Sequence, residues 1–292
     1  MGGGCPVEPE AYGGVPLDRH NAAVASAVDA LLGERLRMAG LLAGPLAEAT
    51  GLPGGEALWT SAVLAGALHD VGKASPHYAG RGSYYGHELV GAALLLEAAL
   101  GVWRDSPGGA LLLALAAWAV ARHHAAMQGR HPLKAARGGG IVRAAASAVR
   151  ALARAPGCLS LGLPPEVRGT RLEGLLLDAL ERLGANTGRL PSLAQSLATY
   201  QGVEALAEKA PGMGAQRWAA LVSAASGAVI VADILVASSE GRDTDDRGGR
   251  AYVVAWLDEL GPAAGRVVQR LASSPPASPA LASMAARISR LL

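Results

Sequence analysis

The stretch Leu68-His69-Asp70-Val71-Gly72-Lys73 decides how this chain is interpreted, because a His-Asp pair directly follows a run of apolar residues. Imidazole and carboxylate groups recur in similar apolar surroundings, at His20, His69, Asp70, His87, His123, His124 and Asp233. Such groups cost free energy to bury unless something binds them. A divalent metal binds nitrogen and carboxylate oxygen together, so these seven residues are candidate metal ligands.

Around these residues the sequence predicts helices. Apolar residues recur mostly at three- and four-residue spacing, and no run alternates convincingly with period two. The fold class is therefore predicted to be all-α. The predicted helices span residues 18–40, 56–69, 86–100, 109–126, 141–153, 173–183, 193–207, 217–238, 251–273 and 279–292.

Segments rich in Gly and Pro suggest how the chain is organised. Residues 1–16 are predicted to be a flexible N-terminus, and 154–215 a helical insertion. The core that carries the candidate ligands would consist of residues 17–153 and 216–240. A polar loop over 240–250 would precede C-terminal helices within 251–292.

Composition excludes some classes of protein. The 292 residues carry a formal net charge of +2, so the whole chain is not a general binder of nucleic acid. Arginines cluster between Arg122 and Arg154, where they suit phosphate contact, although a GC-rich genome would give the same bias. Cys5 and Cys158 are the only cysteines and imply no disulfide framework. A reducing, cytoplasmic location is therefore expected.

Membrane targeting is not expected from the sequence. Residues 1–16 lack the charged, apolar and small-residue order of a signal peptide. Residues 218–239 are long enough to cross a bilayer, but Asp233 would cost about 2.5–3.5 kcal/mol near the membrane centre. The sequence therefore predicts a buried core helix that carries one ligand, and no membrane partner.

The number of candidate ligands points to two metal ions. Five imidazoles and two carboxylates are too many for one closed tetrahedral ion, and they suit two ions that share a bridging Asp. Two ions roughly 3.5–4 Å apart can hold a phosphate, activate water and neutralise a leaving oxygen. A nitrogen-rich site favours Mn, Fe, Co, Ni or Zn, with Mg possible but less suited. The predicted chemistry is phosphoester hydrolysis.

The order of these motifs resembles the HD superfamily of metal phosphohydrolases, and most closely the HD nuclease of type I CRISPR interference. The shared pattern is an early His20, then His69-Asp70-Val71-Gly72-Lys73-Ala74-Ser75 with Tyr78, His87-Glu88, His123-His124, and Ala232-Asp233-Ile234-Leu235-Val236-Ala237-Ser238. The match covers residues 18–239. It implies a single HD nuclease domain.

The resemblance also implies roles for the candidate residues. One ion would be held by His20, His69, Asp70 and Asp233, and the other by Asp70, His87, His123 and His124. The candidate catalytic residues are Asp70 and Lys73. Asp70 would bridge the two ions, and Lys73 would contact the scissile phosphate or assist the leaving group. The family cuts single-stranded DNA, which a superfamily 2 helicase feeds to the nuclease. The expected partners are therefore single-stranded DNA, that helicase and an RNA-guided CRISPR surveillance complex.

Two features of the sequence differ from the family pattern. Ala125 follows the paired histidines where the family usually has Gly. The family's helicase is also not expected in this sequence: its nearest approach to a phosphate loop, Gly66 to Lys73, has the wrong spacing for a Walker A motif and Ala74 where Ser or Thr is needed. The chain thus resembles the stand-alone nuclease subunit, and the expected helicase partner is a separate polypeptide.

Contacts with DNA are predicted from aromatic and basic residues around the paired histidines and in the preceding loop. Tyrosines can stack on bases, and basic side chains can bind phosphates. The candidates are Tyr84, Tyr85, Arg122, Arg130, Lys134 and Arg137. Glu97, in contrast, is expected to be a charge on a helix surface.

Two other functions stay open at this point. The first is an HD phosphohydrolase of small nucleotides, such as deoxynucleotides, cyclic nucleotides or alarmones. It would manage with one ion held by His20, His69, Asp70 and Asp233. The second is a helical component of a CRISPR effector whose site has lost activity.

Overall fold

The computed structural model describes residues 4–39, 43–81, 83–124, 139–198, 212–241, 261, 263–273 and 278–292. These residues are predominantly α-helical, which confirms the predicted fold class. The α-helices are, in chain order, α1 Leu17–Met38, α2 Gly44–Thr50, α3 Gly54–Leu68, α4 His87–Val102, α5 Pro107–Arg122, α6 Gly139–Arg154, α7 Gly157–Gly162, α8 Arg171–Ala185, α9 Leu190–Ala198, α10 Ala215–Ser239, α11 Ala263–Ser273 and α12 Pro279–Leu291. Short 3₁₀ turns span Val71–Ala74, Pro76–Tyr78 and Thr187–Arg189.

The core is built from helices that are apolar on every face. Helices α3, α4 and α5 carry mostly Ala, Leu and Val, and nearly all of their side chains are buried. A helix that is hydrophobic all round must be surrounded by other elements. Accordingly, α3 and α5 pack against each other and against α10, while α1 covers α3 and α10 and α4 covers α5.

The peripheral helices bury only one face. In α6 the buried residues are Ile141, Ala145, Ala148, Val149 and Leu152, which recur at the three- and four-residue spacing of a helix with one apolar face. Helices α6 and α8 pack against each other and against α4. Within the predicted insertion, α8 and α9 pack against α4.

A buried acidic residue attaches this insertion to the core. Glu97, which the sequence suggested was a charge on a helix surface, is only 2% exposed. Its Oε1 accepts hydrogen bonds from Arg182 at 3.1 Å and from Arg189 at 2.6 Å. Since a buried carboxylate needs such partners, this ion-pair cluster ties α8 and the following 3₁₀ turn to α4.

The N-terminal segment differs from its prediction. Residues 10–16 form an antiparallel hairpin of β1 Glu10–Tyr12 and β2 Val15–Pro16, whereas we expected 1–16 to be flexible. Gly13 and Gly14 form the turn with positive φ, a backbone conformation that glycine adopts without steric cost. Ala11 is fully buried, so the hairpin is part of the packed structure.

The cysteines also differ from expectation. Cys5 and Cys158 form a disulfide that links the segment before β1 to α7. Spacing alone could not indicate this pairing, because the two residues are separated by 153 positions. Our expectation that the cysteines imply no disulfide is therefore wrong.

Helix α10 is long and apolar enough to cross a membrane, judged by length and composition alone. Most of its apolar stretch, 72%, is buried inside the protein.

The predicted helices over 193–207 and 251–273 are described only as Leu190–Ala198 and Ala263–Ser273, and their remaining parts lie outside the described residues. Helices α2 and α7 were not predicted.

Candidate metal centre

The seven candidate ligands come from five helices and meet at one buried place. His20 lies in the first turn of α1, His69 and Asp70 follow α3, and His87 begins α4. His123 and His124 directly follow α5, and Asp233 lies inside α10. None of the seven is more than 7% exposed. The chain thus brings residues distant in sequence into a single cluster.

One donor group consists of His20, His69 and Asp233. The Oδ1 atom of Asp233 lies 3.3 Å from His20 Nε2 and 3.5 Å from His69 Nε2. All three side chains are at most 10% exposed. Two imidazole nitrogens and one carboxylate oxygen therefore face each other at close range.

A second donor group consists of Asp70, His87, His123 and His124. His87 Nε2 lies 2.9 Å from Asp70 Oδ1 and 3.1 Å from His124 Nε2. His123 Nε2 is 3.8 Å from the same Asp70 oxygen. This group offers three imidazoles and one carboxylate oxygen.

Asp70 connects the two groups. Its Oδ1 faces His87 and His123, as above, whereas its Oδ2 lies 3.7 Å from His20 Nε2 and 3.5 Å from His69 Nε2. Each oxygen of one carboxylate is thus directed at a different donor group. This is the arrangement expected of a carboxylate that bridges two ions.

The spacing of the donor atoms fits divalent ions. Ligand atoms that are each about 2.1 Å from one ion lie ~3.0 Å apart in octahedral and ~3.4 Å apart in tetrahedral geometry. The distances within both groups fall close to these values. In addition, buried atoms facing the centre have no hydrogen-bond partner among the described residues: His20 Nε2, His69 Nε2, Asp70 Oδ1 and His123 Nε2. A metal would satisfy these atoms.

Backbone carbonyl groups orient three of the histidines. The Nδ1 atom of His69 lies 2.9 Å from the Gly66 oxygen, that of His87 lies 2.6 Å from the Tyr84 oxygen, and that of His123 lies 2.6 Å from the Val120 oxygen. A carbonyl oxygen can only accept a hydrogen bond, so each Nδ1 is the nitrogen that carries the proton. The unprotonated Nε2 atoms then point to the centre, as metal binding requires.

Both carboxylates are charged in this environment. Burial opposes ionisation of Asp70, but the adjacent Lys73 ammonium and the imidazoles of His69 and His87 hold the pKa of its carboxyl well below the usual value. Burial also opposes ionisation of Asp233, yet the imidazoles of His20 and His69 hold the pKa of that carboxyl well below the usual value. The centre therefore presents anionic oxygens to a cation.

The histidines divide into two electrostatic types. Burial, followed by the neighbouring His69, lowers the pKa of His123 to about 3, and burial with the adjacent His123 lowers the pKa of His124. Both rings are therefore neutral at pH 7 and can donate a lone pair. Burial opposes a charge on His20, but the carboxylates of Asp233 and Glu240 outweigh it and raise the pKa of this imidazole to about 9.

Lys73 lies beside the bridging carboxylate. Its Nζ atom donates to Asp70 Oδ2 at 2.5 Å and to the Ala11 carbonyl at 3.2 Å. The 3₁₀ turn that carries Lys73 packs tightly on the start of α4: a Cβ atom added to Gly72 would lie 2.1 Å from the His87 carbonyl oxygen. Glycine at this position thus allows Lys73 and His87 to approach the same centre.

A cavity of about 280 Å³ opens next to Lys73. Its lining includes Tyr78, Tyr84 and the acidic Glu8 and Glu10. Lys73 Nζ lies 5.1 Å from the centre of the Tyr84 ring. An aromatic ring and a cation therefore border this cavity, and the cation is the same Lys73 that contacts Asp70.

The predicted DNA-binding residues have different placements. Tyr84 is partly buried beside the cavity, Tyr85 is 54% exposed, and Arg122 is partly buried at the end of α5. Arg130, Lys134 and Arg137 lie outside the described residues.

Sequence reasoning missed two residues that contact the centre. Glu240, which follows α10 directly, lies 2.8 Å from His20 Nδ1 and is hydrogen bonded to the hydroxyl of Tyr12. Glu240 comes seven residues after Asp233, and residues seven apart share one face of a helix. That spacing could have identified Glu240, whereas nothing in the sequence indicated Tyr12.

We found no match when the chain was compared with models of protein families, with curated proteins and with solved structures. The class of site is therefore defined by its own geometry. It is a buried His/Asp cluster within a helical protein, with residues that could hold a metal ion and a geometry compatible with an HD-like metal site.

Proposed function

We propose that this protein is a two-metal phosphodiesterase of the HD type that hydrolyses single-stranded DNA. The observation that carries the proposal is the pair of donor groups that share Asp70. If the site held a single ion, His87, His123 and His124 would not be metal ligands, because they lie on the far side of Asp70. Two ions bound there would supply an activated water and neutralise the leaving oxygen of a phosphodiester.

The residues of the chain would divide the work as follows. Asp70 would bridge the donor groups and fix their separation. Lys73, already paired with an Asp70 oxygen, would turn its ammonium group to the scissile phosphate when substrate enters. Because His123 and His124 are neutral at pH 7, their lone pairs would be available to a metal ion in the second donor group. The apolar helices around the centre would exclude bulk water.

The substrate class follows from the resemblance and from the surface near the cavity. Exposed Tyr85 and partly buried Tyr84 offer ring faces on which unpaired bases can stack. The order of motifs resembles nucleases of type I CRISPR interference, so the proposed partners are a superfamily 2 helicase and an RNA-guided surveillance complex. The cytoplasm is proposed as the location because of these partners alone, since the Cys5–Cys158 disulfide removes the argument from unpaired cysteines.

One preparation can test this proposal. The metal-stripped protein is loaded with Mn²⁺, Co²⁺, Ni²⁺ or Mg²⁺ and given linear single-stranded, circular single-stranded or duplex DNA. We expect transition-metal-dependent cutting of unpaired DNA, lost in Asp70→Ala and retained in the surface control Asp178→Ala. Circular substrate distinguishes endonuclease from exonuclease action. Intact DNA under every metal would refute the nuclease proposal.

A second candidate, hydrolysis of small nucleotides, is favoured by the cavity. Its volume of about 280 Å³ is close to the lower end of small-molecule sites, about 300 Å³, and Lys73 and Tyr84 would suit a phosphate and a base. A panel of deoxynucleotides, cyclic nucleotides and alarmones should be assayed on the same preparation. Nucleotide turnover without DNA cutting would establish this candidate instead.

A further inference from the structure

We propose that Glu240 is a positioning residue of the metal centre, which holds His20 so that its Nε2 faces the ions. The inference rests on the proposed metal-binding function and adds a residue outside the motifs of the sequence. Glu240 would act through His20 and would not contact metal or substrate itself.

The contacts of His20 carry this proposal. Glu240 Oε2 lies 2.8 Å from His20 Nδ1, and the side chains are 4% and 0% exposed. A carboxylate accepts hydrogen bonds only, so Nδ1 carries the proton. His20 Nε2, which has no hydrogen-bond partner among the described residues, then points to Asp233 and Asp70.

His20 needs a side-chain acceptor because of its position in the fold. His69 and His123 come at the ends of helices, where the last carbonyl groups have no partner within the helix. Their Nδ1 atoms use such carbonyls. His20 instead lies in the first turn of a long helix, where the preceding carbonyls accept helical hydrogen bonds. In this structure a side chain that follows another helix, Glu240, is the partner of its Nδ1.

Glu240 is itself held in place by a second hydrogen bond. The hydroxyl of Tyr12, in β1, donates to the same Oε2 atom that faces His20. The other oxygen, Oε1, is buried and has no hydrogen-bond partner among the described residues. A buried carboxylate with one unsatisfied oxygen is costly for the fold. A nearby cation would offset the cost of burying the Glu240 carboxylate, and the centre would provide that cation when it holds metal.

The experiment compares metal binding and ring orientation in four proteins: wild type, Glu240→Ala, Glu240→Gln and Glu97→Ala. Glu97→Ala is the matched control, because it also removes a buried carboxylate, but one whose partners are arginines. Each metal-stripped protein is titrated with Zn²⁺ by calorimetry. Its fold is checked by circular dichroism, and long-range ¹⁵N–¹H spectra of the zinc-loaded protein report the protonated nitrogen of His20.

We expect wild type to bind two ions, with His20 protonated at Nδ1. Glu240→Ala should lower the affinity for one of the two zinc ions by about 10- to 100-fold, which is the usual effect of removing the hydrogen-bond partner of a metal ligand. Glu240→Gln keeps an acceptor oxygen, so it should lose less than tenfold affinity and keep the Nδ1 proton. Glu97→Ala should bind both ions as wild type does.

The outcomes separate the two proposals. Wild type that binds no zinc overturns the metal centre and, with it, the proposed function. Wild type that binds two ions while Glu240→Ala binds both equally well overturns the role of Glu240 alone. If Glu240→Ala does not fold, the spectra of wild type and Glu240→Gln decide, because a His20 proton on Nε2 in either protein refutes the proposal.

Discussion

Replacing Asp233 with Asn should remove one metal ion, whereas replacing Asp70 with Asn should weaken the binding of both. Asp233 supplies an oxygen to one donor group only, 3.3 and 3.5 Å from its two histidine partners. Asp70 directs a different oxygen to each group. The two variants remove the same charge from the same buried centre, so each is the other's control.

The size of the effect can be worked out as a shift in melting temperature. An ion at a free concentration 100 times its Kd stabilises the folded state by about 2.7 kcal/mol. Unfolding entropy is about 2.1 cal/mol/K per residue, or about 0.6 kcal/mol/K for 292 residues. Each ion should therefore raise the melting temperature by about 4 °C, and two ions by about 9 °C.

The assay measures the melting temperature of each protein with and without Mn²⁺. The difference between the two temperatures reports metal binding alone, because any effect of the substitution on the stability of the metal-free protein is subtracted. Metal content by mass spectrometry provides the count of ions. We expect a shift of about 9 °C for wild type, about 4 °C for Asp233→Asn and almost none for Asp70→Asn. Equal shifts and equal metal counts in the two variants would refute the bridging role of Asp70.

Three further predictions concern the surroundings of the centre. Gly72→Ala should destabilise the fold by about 1–3 kcal/mol in a chemical denaturation experiment, because the new Cβ meets the His87 carbonyl at 2.1 Å; unchanged stability would contradict this packing. Lys73→Met should keep its bound metal but cut DNA about 10²- to 10³-fold more slowly, and wild-type cleavage rates would exclude Lys73 from catalysis. Tyr85→Ala should bind unpaired DNA roughly 5- to 150-fold more weakly in fluorescence anisotropy. Leu100→Ala, which also removes an exposed side chain, is its control, and equal binding by both would remove Tyr85 from the DNA surface.

The sequence was most informative where polar residues interrupt apolar helices. His69, Asp70 and Asp233 stand out because few polar side chains surround them, and burial makes such residues costly without a ligand. Their meeting at one centre could be expected from the resemblance, although spacing alone could not show it. The structure brings all seven candidates together within two adjacent groups.

The residues that sequence reasoning missed stand in polar or short segments. Glu240 begins a polar run and therefore looked like part of a loop. The β1–β2 hairpin has strands of three and two residues, too short for an alternating pattern to be recognised. Glu97 looked like a surface charge because its arginine partners come 85 and 92 residues later. Such pairs depend on tertiary packing.

The disulfide between Cys5 and Cys158 makes the oxidation state of the protein part of its biochemistry. Closing a loop across 153 positions lowers the entropy of the unfolded chain by an amount equivalent to about 5 kcal/mol, comparable with the whole stability of many domains. The same bond anchors the segment leading to Tyr12 and Ala11, which contact Glu240 and Lys73. Thiol reductants would release this anchor, so oxidised and reduced preparations are expected to behave as two different samples.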